Sequence, residues 1–274
     1  MLLPSFVLCA FTRSTSRRLL TTAAYENLTN PTSTITRYFN LTPSFLAHTP
    51  AKYTHHDLLL FPEFLSEPEH DFLVSACDRK LKRSLGSAAQ YEQGHFDGVI
   101  RGYRECEASY WGKDDARVRE ILQRVFGLLP EEWEWLNPHI LDLEAKGEIL
   151  AHMDNADVSV FLLICVASIV SFHTFIHLVS PSLISSSRRN CQYSGSVVAG
   201  LCLLSPAVMR LRHKADSECR FDVLLEPRAL YIQRNSIRYD FTHEIPGSDG
   251  QWWQGEKIEK DRRISLIVRD KKRN

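Results

Sequence analysis

The sequence predicts an α+β fold that is mainly β, a sandwich or barrel with helices packed on one side. Two observations lead to this prediction. Helical patterns come first along the chain, and many short runs rich in Val, Ile, Leu and Tyr, separated by turn residues, follow them. Helices that precede closely spaced strands are typical of a sheet structure that carries its helices on one face.

Two helices are predicted in the first half of the chain. Ser66 and Glu69 have the spacing of a capping box, and Pro68 lies in the first turn, where proline is tolerated. A second helix is predicted at about 114–128, with apolar residues at helical spacing on one stripe: Val118, Ile121, Leu122 and Val125.

The remaining elements are predicted as strands because β-branched and aromatic residues dominate short runs between turns. These runs cover residues 57–61, 139–145, 148–152, 195–204, 208–213, 221–226, 229–234, 236–245 and 263–269.

The bulk composition is that of an ordinary soluble globular protein, with 44% hydrophobic and 24% charged residues. Lys+Arg and Asp+Glu number 33 each, so no overall basic excess indicates a nucleic-acid partner. The seven cysteines are odd in number and form no C-x-x-C pair. This pattern argues against a disulfide framework or a structural zinc site, and it favours reduced thiols.

The N-terminus has the composition of a mitochondrial transit peptide. No acidic residue precedes Glu26, and Arg13, Arg17 and Arg18 lie among many Ser and Thr residues. A secretory signal is the alternative, but its apolar run would be residues 2–11, which precede the charges instead of following them. The predicted organisation is a transit peptide over 1–25, a linker over 26–56 and one domain over 57–270.

A candidate metal site begins at His152-x-Asp154. Residues i and i+2 of a strand point to the same side, so both side chains can chelate one ion. The spacing is weak by itself, since His95-Phe96-Asp97 repeats it. It gains weight from a distant His243 on a strand-like run, because a 2-His-1-carboxylate triad needs one ligand from elsewhere in the fold.

A candidate anion site lies in the last predicted strand. Strand alternation places Arg263, Ser265 and Arg269 on one face. Inward guanidinium groups need anionic partners, and a dicarboxylate held by bidentate hydrogen bonds would supply them. The alternative is that these arginines are salt-bridged or solvated near the end of the chain.

The sequence resembles the AlkB-like Fe(II)/2-oxoglutarate dioxygenases in three motifs that follow one another along the chain: the HxD pair, the distal His and R-x-S-x-x-x-R. The runs LSPAVMRL (204–211) and ALYIQRNSIRYDFTHEI (229–245) are similar to the mitochondrial branch of that family, the AlkB homologue seven type. The resemblance covers about residues 58–269. It implies a double-stranded β-helix (jelly roll) with the N-terminal helices packed on one sheet.

The resemblance also implies the site residues and the reaction. Fe(II) would be held by His152, Asp154 and His243, and the cosubstrate 2-oxoglutarate would be bound by Tyr231, Arg263 and Arg269. No catalytic residue is expected beyond the metal site. The implied protein is a mitochondrial matrix enzyme, expected to be monomeric, that couples decarboxylation of 2-oxoglutarate with O2 to oxidation of a protein or RNA substrate. A role in fatty-acid metabolism and programmed necrosis is implied in the same way.

Two alternative functions remain open: a catalytically impaired jelly-roll binding or scaffold protein, and a protein anchored in a membrane through residues 158–179. Duplex DNA is an unfavourable substrate, since the candidate lid over 90–111 contains only Arg101 and Arg104 as basic residues.

The domain is interrupted by an unusual segment over 157–191. Residues 158–170 are almost wholly apolar, and the polar tract 185–190 follows. His152 and His243 are 91 positions apart, which exceeds the separation that the resemblance implies by about the length of this segment. We therefore interpret it as a translated retained intron that weakens iron binding. A transmembrane helix or a genuine surface insertion is the alternative.

Overall fold

The computed structural model describes residues 37–48, 57–94, 98–129, 134–154 and 194–271. The described α-helices are α1 (Pro43–His48), α2 (Glu67–Leu85), α3 (Asp115–Phe126) and α4 (Asn235–Asp240). The described strands are β1 (Phe39–Leu41), β2 (Leu58–Phe61), β3 (Ile100–Glu107), β4 (His139–His152), β5 (Ser194–Leu204), β6 (Ala207–His213), β7 (Asp216–Leu225), β8 (Leu230–Arg234), β9 (Phe241–Ile245), β10 (Trp252–Trp253), β11 (Glu256–Lys257) and β12 (Arg263–Lys271).

The main sheet folds into two halves that share the long strand β4. The strand order is β1-β7-β6-β9-β4-β12-β5-β8-β2, with β3 paired to β4, and the pairs are antiparallel. The first part of β4 pairs with β12, and its last part pairs with β9. The result is a half-barrel of the jelly-roll type, which confirms the predicted fold.

Strand alternation divides the apolar residues between two cores. Ile264, Leu266 and Val268 of β12 face a core that they share with α2 and α3. The other core lies between the two halves of the sheet and contains Phe221 and Phe241. Helices α2 and α3 therefore cover one face of the sheet, as predicted, and the opposite faces of the same strands line the interior of the barrel.

Both predicted helices are present. The Glu69 carboxylate accepts a hydrogen bond from the Ser66 backbone N–H at 2.9 Å, as expected for a capping box. The four stripe residues of α3 are buried against α2 and the sheet: Val118, Ile121, Leu122 and Val125.

The structure differs from the predicted strand over 236–245, because its first half is the helix α4. Asn235 has φ of +46°, which turns the chain out of β8. The Asp57 carboxylate accepts hydrogen bonds from the Ser236 backbone N–H at 3.2 Å and from its hydroxyl at 2.7 Å. A carboxylate from a distant part of the chain therefore accepts the hydrogen bonds of groups in the first turn of the helix. Local periodicity does not reveal such a contact.

The structure also differs from the predicted linker over 26–56. Strand β1 pairs with β7, and Phe45 of α1 is fully buried against Phe221 and Phe241. Folding of the domain therefore includes residues N-terminal to position 57. Aromatic side chains, rather than a periodic apolar pattern, hold this short extension in place.

Several predicted features lie outside the described residues: the transit peptide over 1–25, the segment 157–191, the candidate span 158–179 and His95-Phe96-Asp97. None of the helices described has both the length and the apolar character needed to cross a membrane. The four cysteines described are free thiols: Cys77, Cys106, Cys202 and Cys219.

Candidate metal and cosubstrate site

The three predicted metal ligands lie together at the end of β4. His152 and His243 are paired in the β4–β9 ladder, and their ring centroids are 4.3 Å apart. One ligand atom from each of His152, Asp154 and His243 lies within 4.8 Å of the others. Met153, between the first two, is 39% exposed and lies on the other side of the chain, as i, i+2 alternation requires.

Hydrogen bonding orients the His152 imidazole. Its Nδ1 lies 2.9 Å from the carbonyl oxygen of Leu150. Because a carbonyl can only accept, Nδ1 carries the proton, and Nε2 presents its lone pair 3.7 Å from Asp154 Oδ1. This arrangement, in which one ring nitrogen is held by the backbone and the other is available, is usual for a metal-binding histidine.

The charge states of the other two side chains also suit a divalent cation. Burial lowers the pKa of His243 to about 4, although the Asp154 carboxylate acts in the opposite direction. Burial acts to raise the pKa of Asp154, but the positive charge of Arg269 helps to hold that pKa well below its usual range. At neutral pH the site therefore offers a neutral imidazole and an ionised carboxylate, the forms that bind metals.

Arg263 lies deeper in the barrel and is 2% exposed. Its Nη1 donates to Ser265 Oγ and its Nη2 donates to Cys202 Sγ at 3.3 Å, whereas its buried Nε has no hydrogen-bond partner among the residues described. Within the same ranges, no carboxylate lies within ion-pair distance of this guanidinium. The alternative that Arg263 is salt-bridged is wrong for the described structure; Arg262, its neighbour, pairs with Asp142.

Tyr231 lies in the same sheet as this arginine, on β8, which strand β5 separates from β12. A Cβ atom at Gly200, its neighbour in the β5–β8 ladder, would be 2.5 Å from the Tyr231 ring. Burial, with a smaller effect of Cys202, raises the pKa of the Tyr231 hydroxyl. This phenol therefore stays protonated and can donate a hydrogen bond to an anion in the barrel.

Arg269 lies at the metal end of the site instead of beside Arg263. Its Nη2 is 3.8 Å from Asp154 Oδ1. The two arginines are six positions apart along β12, so one lies near the candidate ligands and the other lies deep in the interior.

The sequence prediction missed three residues of the site. Cys202 contacts Arg263, and Gly200 accommodates the Tyr231 ring. The Arg238 Nη1 donates to the backbone carbonyl of Asp154. The sequence could have indicated Arg238, because it is a charged residue between Ile237 and Tyr239. The roles of Cys202 and Gly200 follow only from the pairing of β5 with β8 and β12.

The candidate lid over 90–111 consists largely of structural residues. Tyr103 and Trp111 are buried in the two cores. Its two basic residues are ion-paired, Arg101 with Glu148 and Arg104 with Asp142. These four side chains therefore take part in the packing and ion pairs of the described fold.

The comparisons with known proteins agree with this geometry. The chain is 35% identical over 218 residues to the mitochondrial α-ketoglutarate-dependent dioxygenase AlkB homologue 7 of Mus musculus, covering 78% of each chain. The chain belongs to the AlkB homologue 7 family. It is also 34% identical over 209 residues to the mitochondrial AlkB homologue 7 of Bos taurus, covering 76% of each chain. No family model matches the chain.

As a member of this family, the protein is a 2-oxoglutarate-dependent dioxygenase, with 2-oxoglutarate and O2 as cosubstrates. Its fold is also similar to that of a Trichoplax adhaerens prolyl hydroxylase in complex with a hypoxia-inducible-factor peptide. The TM-score is 0.51 at 7% identity, with 93% of this chain and 90% of the hydroxylase chain covered. A likeness at this identity shows the fold alone.

Proposed function

We propose that the protein is an Fe(II)- and 2-oxoglutarate-dependent dioxygenase of the mitochondrial matrix that oxidises a protein or RNA substrate. The observation that carries the proposal is the approach of His152, Asp154 and His243 to within 4.8 Å. Two imidazoles and one carboxylate are the donor set of non-haem Fe(II) oxygenases, and such a triad leaves coordination positions open for cosubstrate and O2.

The residues present fit the iron. The His152 Nδ1–H donates to a backbone carbonyl, the Asp154 carboxylate is ionised and the His243 imidazole is neutral. When bound, Fe(II) supplies the redox chemistry by which O2 converts 2-oxoglutarate to succinate and CO2 and oxidises the substrate. The three side chains would hold the ion.

The cosubstrate would extend from the metal end into the barrel. Arg263 would bind the distal carboxylate, because its buried guanidinium has no carboxylate partner within the described ranges and its Nε is free to donate. The Tyr231 hydroxyl would donate a second hydrogen bond. Arg269, beside Asp154, would lie at the metal-binding end of the same molecule.

The location and wider role rest on the family and on the N-terminal composition. The relatives are named as mitochondrial proteins, and residues 1–25 have the composition of a transit peptide. The matrix location, the monomeric state and a role in fatty-acid metabolism and programmed necrosis are proposed from the family resemblance. Ion pairing of Arg101 and Arg104 supports a substrate other than duplex DNA.

Succinate formation tests the proposal. Purified protein supplied with Fe(II), O2 and 2-oxoglutarate is expected to release succinate, and His152→Ala is expected to reduce the rate to background because it removes a ligand. Arg263→Met is expected to raise the KM for 2-oxoglutarate at least about thirtyfold, since losing a buried charge contact costs about 2 kcal/mol or more. Nuclear magnetic resonance quantifies the product.

Arg79→Met is the matched control, because this arginine lies on α2 and pairs with Asp114 away from the barrel interior. Its KM is expected to equal that of the wild type. Succinate release by the wild type no greater than that of His152→Ala would instead favour the catalytically impaired binding or scaffold protein.

A further inference from the structure

The short helix α4 contacts both sides of the break in the described chain. The chain leaves the sheet after β4 at Asp154 and is described again from Ser194. The Arg238 guanidinium donates to the Asp154 carbonyl, and the Tyr239 hydroxyl donates to the Gly195 carbonyl at 3.4 Å. Neighbouring residues of one helix therefore hold the end of β4 and the beginning of β5.

Asp154 needs such support because of its position. The ladder between β4 and β9 ends at the His152–His243 pair, so the main chain of Asp154 lies beyond the last paired residue. Two histidine ligands belong to paired strands, whereas the carboxylate ligand does not. A ligand on unpaired backbone can move away from the other two unless a side chain fixes it.

The arginine that contacts Asp154 is itself held firmly. Arg238 is 3% exposed, and Ile237 beside it is buried. The start of α4 is anchored by Asp57, which accepts hydrogen bonds from Asn235 Nδ2 at 2.9 Å and from both the backbone N–H and the hydroxyl of Ser236. Because the guanidinium is buried and its helix is anchored, Arg238 has little conformational freedom and can hold the Asp154 carbonyl in one position.

A second arginine acts on the same residue from another strand. Arg269 of β12 lies 3.8 Å from the Asp154 carboxylate. The side chain of Asp154 is therefore oriented by Arg269 and His152, and its main chain by Arg238.

We propose that Arg238 is a positioning residue of the metal site, which holds the Asp154 main chain in place beyond the end of β4. This inference rests on the proposed metal site. Arg238 does not coordinate the ion; it acts through Asp154, so its loss lowers metal affinity while the three ligand side chains remain.

Mn(II) affinity of the full chain, measured by isothermal titration calorimetry, tests the inference without turnover. Arg238→Met is expected to weaken Mn(II) binding about tenfold or more, the usual effect of removing a group that orients a ligand. Arg238→Lys keeps a cationic donor and is expected to bind Mn(II) more tightly than Arg238→Met. Tyr239→Phe, on the same helix, is expected to stay within about twofold of wild type, because it leaves the bond to Asp154 intact.

Two controls separate the possible failures. Wild-type Mn(II) affinity no greater than that of His152→Ala means that the proposed metal site itself is wrong. If the wild type binds Mn(II) more tightly than His152→Ala, and Arg238→Met binds Mn(II) as tightly as the wild type, only the positioning role of Arg238 is overturned. If Arg238→Met does not fold, Arg238→Gln, which removes the charge, takes its place, and Mn(II) affinity of Arg238→Gln equal to that of the wild type overturns the inference.

Discussion

At the residue scale, Gly200 shows how a small side chain shapes the cosubstrate site. The Tyr231 ring occupies the space where a side chain at position 200 would lie, with ring and hydroxyl atoms 2.5–2.6 Å from an added Cβ. The ring cannot move away freely, because Cys202 and Arg263 lie in the same buried interior. The absence of a Cβ at position 200 therefore sets where the Tyr231 hydroxyl stands.

Gly200→Ala is expected to displace the Tyr231 ring. Overpacking of this kind costs about 1–3 kcal/mol of unfolding free energy. The KM for 2-oxoglutarate is expected to rise about tenfold, which corresponds to about 1.4 kcal/mol of binding free energy. Thermal unfolding and succinate kinetics measure the two effects.

Gly94→Ala is the matched control, since an added Cβ there has no neighbour within 4 Å. Its unfolding free energy is expected to stay within about 0.5 kcal/mol of wild type. A Gly200→Ala protein with unchanged melting temperature and unchanged KM would show that the Tyr231 ring can relocate without cost.

At the element scale, a buried ion cluster joins β4, the strand that carries His152, to its neighbours. The Asp142 carboxylate of β4 is 0% exposed and accepts hydrogen bonds from Arg104 of β3 at 2.9 Å and from Arg262 at 2.8 and 3.0 Å. Arg262 also donates to Asp78 of α2 at 2.6 Å. One carboxylate therefore connects three elements around the first half of β4.

Asp142→Asn is expected to lower the unfolding free energy by about 3–5 kcal/mol, because removing one charge from a buried cluster leaves its partners unpaired. Chemical denaturation measures the change. Glu134→Gln, which breaks the exposed pair with Lys271, is the control and should differ from wild type by no more than about 0.5 kcal/mol. Equal effects of both substitutions would contradict a stabilising role of the cluster.

The run LSPAVMRL forms the turn between β5 and β6 and most of strand β6, which pairs with β9. Leu204 has φ of +72°, an unusual conformation for leucine, and its backbone N–H donates to His70 Nε2 at 3.1 Å. The Ser205 hydroxyl donates to the carbonyl of Asp261 at 3.1 Å. This turn thereby fixes the segment that leads into β12 and Arg263.

At the scale of the whole molecule, the segment 157–191 distinguishes this chain, because it lies between two of the proposed metal ligands in the sequence. Its interpretation as a translated retained intron, and the expected weakening of iron binding, concern residues outside the described ranges and stay predictions. The described residues show the three ligands together with the full segment present in the chain. Asp154 and Gly195, near the two ends of the described chain on either side of this segment, both contact α4.

Two measurements address the segment. Reverse-transcription PCR across the region is expected to give a second, shorter product that lacks the codons for 157–191. The protein encoded by that product is expected to bind Fe(II) more tightly than the full chain, since an apolar segment beside Asp154 can disturb the ligand. A single long product would contradict the intron interpretation, and equal affinities would contradict the effect on iron.

The sequence by itself determined most of the elements and the candidate chemistry. Period-two alternation in 263–269 correctly separated Arg263 and Ser265 from Ile264 and Leu266, and helical spacing found the buried stripe of α3. The i, i+2 spacing of His152 and Asp154 placed both on one side of β4. These features are local, and local periodicity follows directly from backbone geometry.

Only the tertiary structure decided which distant groups meet. The pairing of β4 with β9 brings His243 to His152, and the pairing of β5 with β8 places Gly200 beside Tyr231. Hydrogen bonds to Asp57 stabilise α4, where the local pattern predicts a strand. Arg262 and Arg263 are adjacent in sequence, yet one is ion-paired and the other lines the interior. Such outcomes depend on contacts between residues far apart along the chain, which local patterns do not encode.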